Sequence, residues 1–248
     1  MPKNRKVVPR VQLVEYTKNA KQVIASAAKL CYASNTDTIL EQPDNEKTNG
    51  FLNMLKDMGH LSTFEHISFT FYIEGVSRAM THQLVRHRIA SYSQRSQRYV
   101  KESDFNYVVP GSFVGKTVTV NGEEIDAVEF YDSTMSEIGS RYEILLDALG
   151  NNGEKSNQDA RYILPNACET KIFVTMNLRT LFHFFGERLC MRAQWEIREV
   201  AEKMLSLVKE VYPELFKNIG PKCVQQNGCP EGKMTCGKYI EQKEKYGN

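Results

Sequence analysis

The stretch His66-Ile67-Ser68-Phe69-Thr70-Phe71-Tyr72-Ile73 alternates aromatic and branched residues with polar ones. Side chains on a strand point to opposite faces in turn, so this period of two predicts a strand with one buried face. Residues 77–86 follow with helical spacing, so strand passes straight into helix. Upstream, residues 11–34 predict a strand running into a helix whose apolar residues are Val23, Ala27, Leu30 and Cys31. Residues 35–49 are polar with a central Pro43, which predicts a loop before a second helix over 50–58. Downstream, Asn121-Gly122 interrupts the run VTVNGEEIDAVEF and predicts a hairpin turn. Helical spacing resumes over 131–149, and a polar loop occupies 150–159. A strand over 171–176 then leads into two helical stretches broken near Arg188, the second reaching about Val211. Helices and strands mix without a βαβ rhythm and without an internal repeat. The expected class is α+β, a single domain with mixed helices and a mainly antiparallel sheet.

A chain of 248 residues, 41% apolar, is long enough to bury a substantial core in one domain. Its 32 basic and 30 acidic residues leave a net charge of +2, so the chain as a whole is no polyelectrolyte seeking nucleic acid or an anionic membrane. The basic start MPKNRKVVPR leads into a mixed segment rather than an apolar run, and no apolar run approaches the roughly 18 residues of a membrane span. The expectation is a cytoplasmic protein with its six cysteines reduced.

Any anion site must therefore be local. Between Glu74 and Glu102 there is no acidic residue, while Arg78, Arg86, Arg88, Arg95, Arg98 and Lys101 fall inside that window. Arginine suits bidentate phosphate contacts, and the intervening Ser, Gln and Tyr residues are hydrogen-bonding groups rather than the Glu/Lys mixture of a surface helix. A solvated basic face and a single-strand nucleic-acid-binding surface are the rival readings of this window. A second constellation follows about ninety residues later: Asn177, Arg179, His183, Arg188 and Arg192, interleaved with Phe182, Phe184 and Phe185. Arg179 and His183 share a helix face, as do Arg188 and Arg192.

Arg86-His87-Arg88, seven residues and then Ser96 reproduces the RHR-x7-S signature of the flavin-dependent thymidylate synthases, which the chain resembles from about residue 11 to 212. His60–His66 (HLSTFEH), Gln83, Arg161-Tyr162-Ile163-Leu164-Pro165 and the block from Asn177 to Ile197 resemble further family segments in the same order. The resemblance implies an α+β homotetramer that binds FAD and converts dUMP to dTMP, with methylenetetrahydrofolate as carbon donor and NADPH as reductant. It implies a catalytic domain over 1–220 and a cysteine-bearing tail over 221–248. It also implies that Ser62, Arg86, His87, Arg88, Gln94, Asn177, Arg179 and His183 contact FAD. Gln83, Arg86, Gln94, Ser96, Gln97, Arg98, Arg161 and Arg188 are implied to hold dUMP, with Arg188 catalytic at the pyrimidine edge. This chain departs from many members in having Ser62 for Thr, Gln94 for Glu and His183 for Asn. A nucleotide-binding regulatory protein of the same fold, lacking catalysis, is a further alternative.

A nucleophilic role for Ser96 needs an adjacent base, and its neighbours are Arg and Gln, so a hydrogen-bonding role is expected instead. No cysteine carries the active-site motif of the folate-only thymidylate synthases. His82 and His87 are five apart with no carboxylate among the histidines, so no metal is expected there. Cys223, Cys229 and Cys236 are one short of a structural zinc site unless Cys190 or another chain supplies a fourth ligand, and packed or free thiols are the alternative. The last residues, KYIEQKEKYGN, are expected to fray.

Overall fold

The computed structural model describes residues 6–247. In chain order the elements are β1 (Arg10–Tyr16), α1 (Ala20–Leu30), α2 (Glu46–Asp57), β2 (Ser68–Ser77), α3 (Arg78–Leu84), β3 (Ala90–Gln94), β4 (Thr117–Val120) and β5 (Glu123–Asp126). Then follow α4 (Ala127–Ala148), α5 (Glu154–Ala160), β6 (Glu169–Asn177), α6 (Leu178–Arg188), α7 (Trp195–Val211), α8 (Lys222–Gln225) and α9 (Tyr239–Tyr246). One sheet has the strand order β1-β2-β6-β3, and β4 pairs with β5 in a second, two-stranded sheet. The class is α+β, as the mixed patterning predicts.

The chain divides into two compact units. One comprises Ile73–Gln83 and Ser93–Ile172 with the N-terminal residues through Arg10; the other comprises Val11–Tyr72, Leu84–Tyr92 and Phe173–Asn248. In the first unit Phe105, Tyr107, Met135 and Cys168 form one buried cluster, and Tyr142, Leu146 and Ala160 another. The β4–β5 hairpin pairs Val120 with Glu123 across a two-residue turn. Asn121 and Gly122 have φ of 53° and 88°, the positive values that this tight turn demands and these two residues supply at least cost. Gly75 has φ +69°, and a Cβ there would lie 2.1 Å from the carbonyl oxygen of Val8, so only glycine fits.

The second unit is built around buried rings. Phe69 meets Phe216 at 5.5 Å between centroids, Phe182 meets Phe216 at 5.9 Å, and Phe184 meets Phe185 at 5.6 Å, all tilted as aromatic quadrupoles prefer. These phenylalanines come from β2, α6 and the segment after α7, so the ring cluster ties the signature-flanking elements to the end of the chain.

Several boundaries differ from the sequence reading, and caps explain two of them. Helix α2 begins at Glu46 because the Asn45 Oδ1 accepts from the Thr48 N–H at 3.1 Å. Helix α4 begins at Ala127 because Asp126 Oδ1 accepts from Val128 and Glu129 N–H at 2.9 and 3.0 Å. Helix α1 buries Ala20, Ile24, Ala25 and Ala28, whereas Leu30 and Cys31 of the expected stripe are exposed. The helix carries two adjacent apolar stripes, and only packing selects between them. The chain end does not fray through Tyr246: α9 forms there, Tyr246 is buried against Gly220, and its hydroxyl donates to Glu202 Oε1 at 3.1 Å.

Candidate active site

The tripeptide Arg86-His87-Arg88 forms a turn just after α3, pinned from β3. The Tyr92 hydroxyl lies 2.9 Å from the Leu84 carbonyl oxygen and 2.8 Å from that of His87, and the His87 N–H donates to Leu84 O at 3.2 Å. Pinning turns His87 inward, where it is 7% exposed, and leaves Arg86 and Arg88 exposed on either side. Among the described residues neither arginine forms an ion pair with a carboxylate, so both are placed to receive an anion from outside the chain.

His87 packs edge-on to Phe184 and His183, with ring centroids 5.0 and 5.6 Å away. At the end of α6, Arg188 Nε donates to His87 Nε2 at 3.0 Å. Only a neutral imidazole has a lone pair to accept that bond, so the ring proton sits on Nδ1. Burial first, then the Arg188 guanidinium and His183, push the His87 pKa down to about 4. The imidazole is thus an uncharged acceptor at neutral pH, and it orients a permanent cation. Sequence spacing could not reveal this pair, because the two residues are 101 positions apart.

Helix α6 begins where Asn177 Oδ1 accepts from the Thr180 N–H at 2.8 Å, so the acceptor of the Asn177 amide is already used as a cap. Two positions on, Arg179 pairs with Glu65 at 2.6 Å. Glu65 belongs to the 3-10 turn Ser62–His66, whose first residue, Ser62, is exposed. That turn packs on α6 through Phe64 and Phe182, 6.0 Å apart. Ser62, Arg179 and the exposed His183 therefore stand on elements fastened to each other, as do His87 and Arg188.

The remaining candidates lie in the other compact unit. Gln94 Nε2 donates to Thr81 Oγ1 at 3.0 Å and Thr170 Oγ1 at 3.1 Å, which uses both amide hydrogens and fixes the side chain. Ser96 Oγ accepts from the Arg98 N–H at 3.2 Å, and Arg98 pairs with Glu154. Gln97 is buried, its Nε2 3.5 Å from Cys168 Sγ, so it faces the core. Gln83 is half-buried, and Arg161 Nε donates to the Gln158 carbonyl at 3.2 Å. Among the described residues no hydrogen bond joins Ser96 to a histidine or a carboxylate.

The acid-free window is much less basic in three dimensions than in sequence. Arg95 pairs with Glu102 at 3.4 Å, Lys101 with Glu143 at 2.9 Å, and Arg98 with Glu154. Acids outside the window neutralise half of the stripe that a nucleic-acid-binding surface would use. Sequence reasoning assigned no role to Tyr92, Thr81 or Thr170, which hold the signature turn and Gln94. The alternation of Tyr92 and Gln94 with Ser91 and Ser93 is the one signal that marks them as inward-facing.

The family model described as thymidylate synthase complementing protein matches residues 12–214. A flavin-dependent thymidylate synthase of Clostridium tetani (strain Massachusetts / E88) is 52% identical over 242 residues, covering 96% of each chain. That of Nitratidesulfovibrio vulgaris is 46% identical, over 93% of this chain and 95% of its own, and that of Pyrococcus furiosus is 43% identical, over 90% and 89%. The crystal structure of a UMP/dUMP methylase, PolB, from Streptomyces cacaoi bound with 5-Br dUMP superposes with a TM-score of 0.70. At 23% identity, over 85% of this chain and 94% of that one, it is a likeness of fold. The nucleic-acid-binding reading finds no support among these relatives.

Proposed function

The chain belongs to the flavin-dependent thymidylate synthases, and from that premise we propose how its residues divide the work of converting dUMP to dTMP. The activity uses FAD, with NADPH and methylenetetrahydrofolate as co-substrates. The observation that carries the assignment is the Arg188–His87 hydrogen bond of 3.0 Å, which holds a permanent cation on a neutral ring.

C5 of uracil is a weak nucleophile until negative charge can develop at N3 and O4. A fixed guanidinium at that edge favours the charged form, as oxyanion-stabilising groups do. Arg188 has this role. Its Nε–H is committed to His87, so the planar fork is oriented before substrate arrives, and little reorganisation accompanies charge development. His87 cannot compete for a proton in the neutral range because it is held neutral. No strong base is required of Ser96, which donates to the nucleotide together with Gln83, Arg98 and Arg161, the last two for phosphate; Gln94, its amide hydrogens taken by Thr81 and Thr170, offers only its carbonyl oxygen, and Gln97 is turned to the core and takes no part. Arg98 must exchange its Glu154 partner for the nucleotide to bind.

The residues of the second unit fit FAD. Its diphosphate calls for cations without internal partners, and Arg86 and Arg88 are exposed, with no ion pair among the described residues. Ser62, His87, Asn177, Arg179 and His183 complete the flavin-binding set, with Gln94 shared between flavin and nucleotide. Bound FAD, reduced by NADPH, supplies the hydride that finishes the methyl group. We place these roles in residues 1–220 of a cytoplasmic homotetramer; family resemblance supports the assembly. Among the described residues no helix is long and apolar enough to cross a membrane.

Purified protein should be yellow or take up added FAD, and dUMP should perturb its flavin absorbance. Arg188→Ala should abolish dTMP formation while FAD stays bound. Loss of FAD from that variant would refute the assignment of Arg188, and a colourless protein indifferent to FAD would refute the whole.

A further inference from the structure

The flavin and nucleotide roles use none of the six cysteines, and four of these converge. Cys190 follows α6, Cys223 lies in α8, and Cys229 and Cys236 sit in the segment between α8 and α9. All four line one cavity of about 300 Å³, with Arg188, Arg192 and Lys222 in the same wall. None is in a disulfide.

The loop that brings Cys229 and Cys236 here is fastened in place. Arg192 Nη1 donates to the Met234 carbonyl at 2.9 Å and pairs with Glu231 at 3.4 Å. Gln225 Nε2 donates to the Phe182 carbonyl at 3.1 Å and the Gly220 carbonyl at 2.7 Å, and Lys245 pairs with Glu202 at 2.9 Å. The tail is thereby docked on α6 and α7, which brings the four cysteines to one cavity.

We propose that Cys190, Cys223, Cys229 and Cys236 bind an iron–sulfur cluster. Four thiolates form the usual ligand set of such clusters. A single zinc ion would draw the sulfurs to about 2.3 Å from one point. Among the described residues no three His, Cys, Asp or Glu side chains gather tightly enough to hold one ion. The four cysteines instead line one cavity of about 300 Å³, which has room for a polynuclear core several ångströms across. Lys222 and Arg192 in the wall pair with Glu187 and Glu231 of the same wall, so its three cations and two carboxylates leave a net charge of +1 facing the four thiolates. Insertion of a preformed cluster is redox-neutral: four S–H bonds are lost, four Fe–S bonds form, the cluster's previous ligands leave, and four protons pass to water. The site stands independently of the flavin assignment, although Arg188 borders both.

The test is to express the full chain with supplementary iron, purify it without oxygen, and assay iron, zinc and acid-labile sulfide, with an electron paramagnetic resonance spectrum after dithionite reduction. Iron and sulfide in comparable amounts, lost in Cys223→Ser and in Cys229→Ser but kept in Cys31→Ser, are the expected results. Stoichiometric zinc without labile sulfide would overturn the proposal. So would a metal-free wild-type chain, or iron and sulfide retained in the Cys223→Ser/Cys229→Ser double variant. Wild-type metal content decides the matter even if a variant fails to fold.

Discussion

Replacing His87 with Gln should flatten an acid-triggered loss of stability that the wild-type chain carries at its signature turn. In the folded chain the His87 pKa lies at about 4 against an ordinary 6.5, because burial and the Arg188 guanidinium oppose a second positive charge. The sign follows from proton uptake. Above pH 6.5 the residue is neutral folded and unfolded, and its low pKa costs nothing. As pH falls from 6.5 towards 4, the unfolded chain binds a proton at this position that the folded chain does not, so stability is lost across that window. A tenfold rise in proton concentration costs about 1.4 kcal/mol there, so the loss reaches about 2 kcal/mol at pH 5 and approaches about 3 kcal/mol at pH 4. Gln offers Arg188 a neutral acceptor of similar reach but does not titrate. Unfolding by urea at pH 7 and pH 5, followed by circular dichroism, measures the difference. Carboxylates common to both chains cancel in the comparison. Wild type should lose about 2 kcal/mol more than the variant between the two pH values. Parallel losses in the two chains would refute the claim that His87 is buried neutral against Arg188.

Four further outcomes follow from the packing and the site. Gly75→Ala should destabilise the chain by about 2–3 kcal/mol, seen as a lower midpoint in thermal unfolding, since its φ is +69° and the new Cβ would meet Val8 O at 2.1 Å. Phe185→Ala removes a fully buried ring packed on Phe184 and Phe216 and should cost about 3–5 kcal/mol in urea unfolding. Asn177→Ala should cost about 1 kcal/mol of stability through the lost α6 cap; Asn177→Asp, which retains the acceptor, should recover most of it. Ser96→Ala should raise the KM for dUMP by roughly tenfold, the worth of one hydrogen bond, with kcat largely kept, whereas an obligatory nucleophile would show no turnover.

The elements with strong local signals were legible in the chain itself. His66–Ile73 alternates because β2 has one face against the ring cluster, and Asn121-Gly122 announces the hairpin because few other pairs tolerate two positive φ angles. Boundaries were less legible where a cap outweighed spacing, as at Asn45 and Asp126. The buried stripe of α1 was misjudged because helical periodicity reports which residues align, not which stripe meets a partner. The expected fraying of the chain end failed for a related reason: α9 is polar in composition and is held by Tyr246 on Gly220, a contact that no local pattern encodes.

The candidate site divides along the same line. Sequence alone determined the residue types: a signature of arginines flanking one histidine, a second arginine-rich helix, and serine and glutamine in place of general bases. Those follow from composition and spacing, which the covalent chain carries in full. Tertiary structure alone decided what each group is. It made His87 neutral by burying it against Arg188, cancelled half of the basic window with acids brought from other segments, and gathered Cys190 with three cysteines of the tail around one cavity. Charge state and ligand sets depend on through-space distance and desolvation, and neither is a property of sequence order.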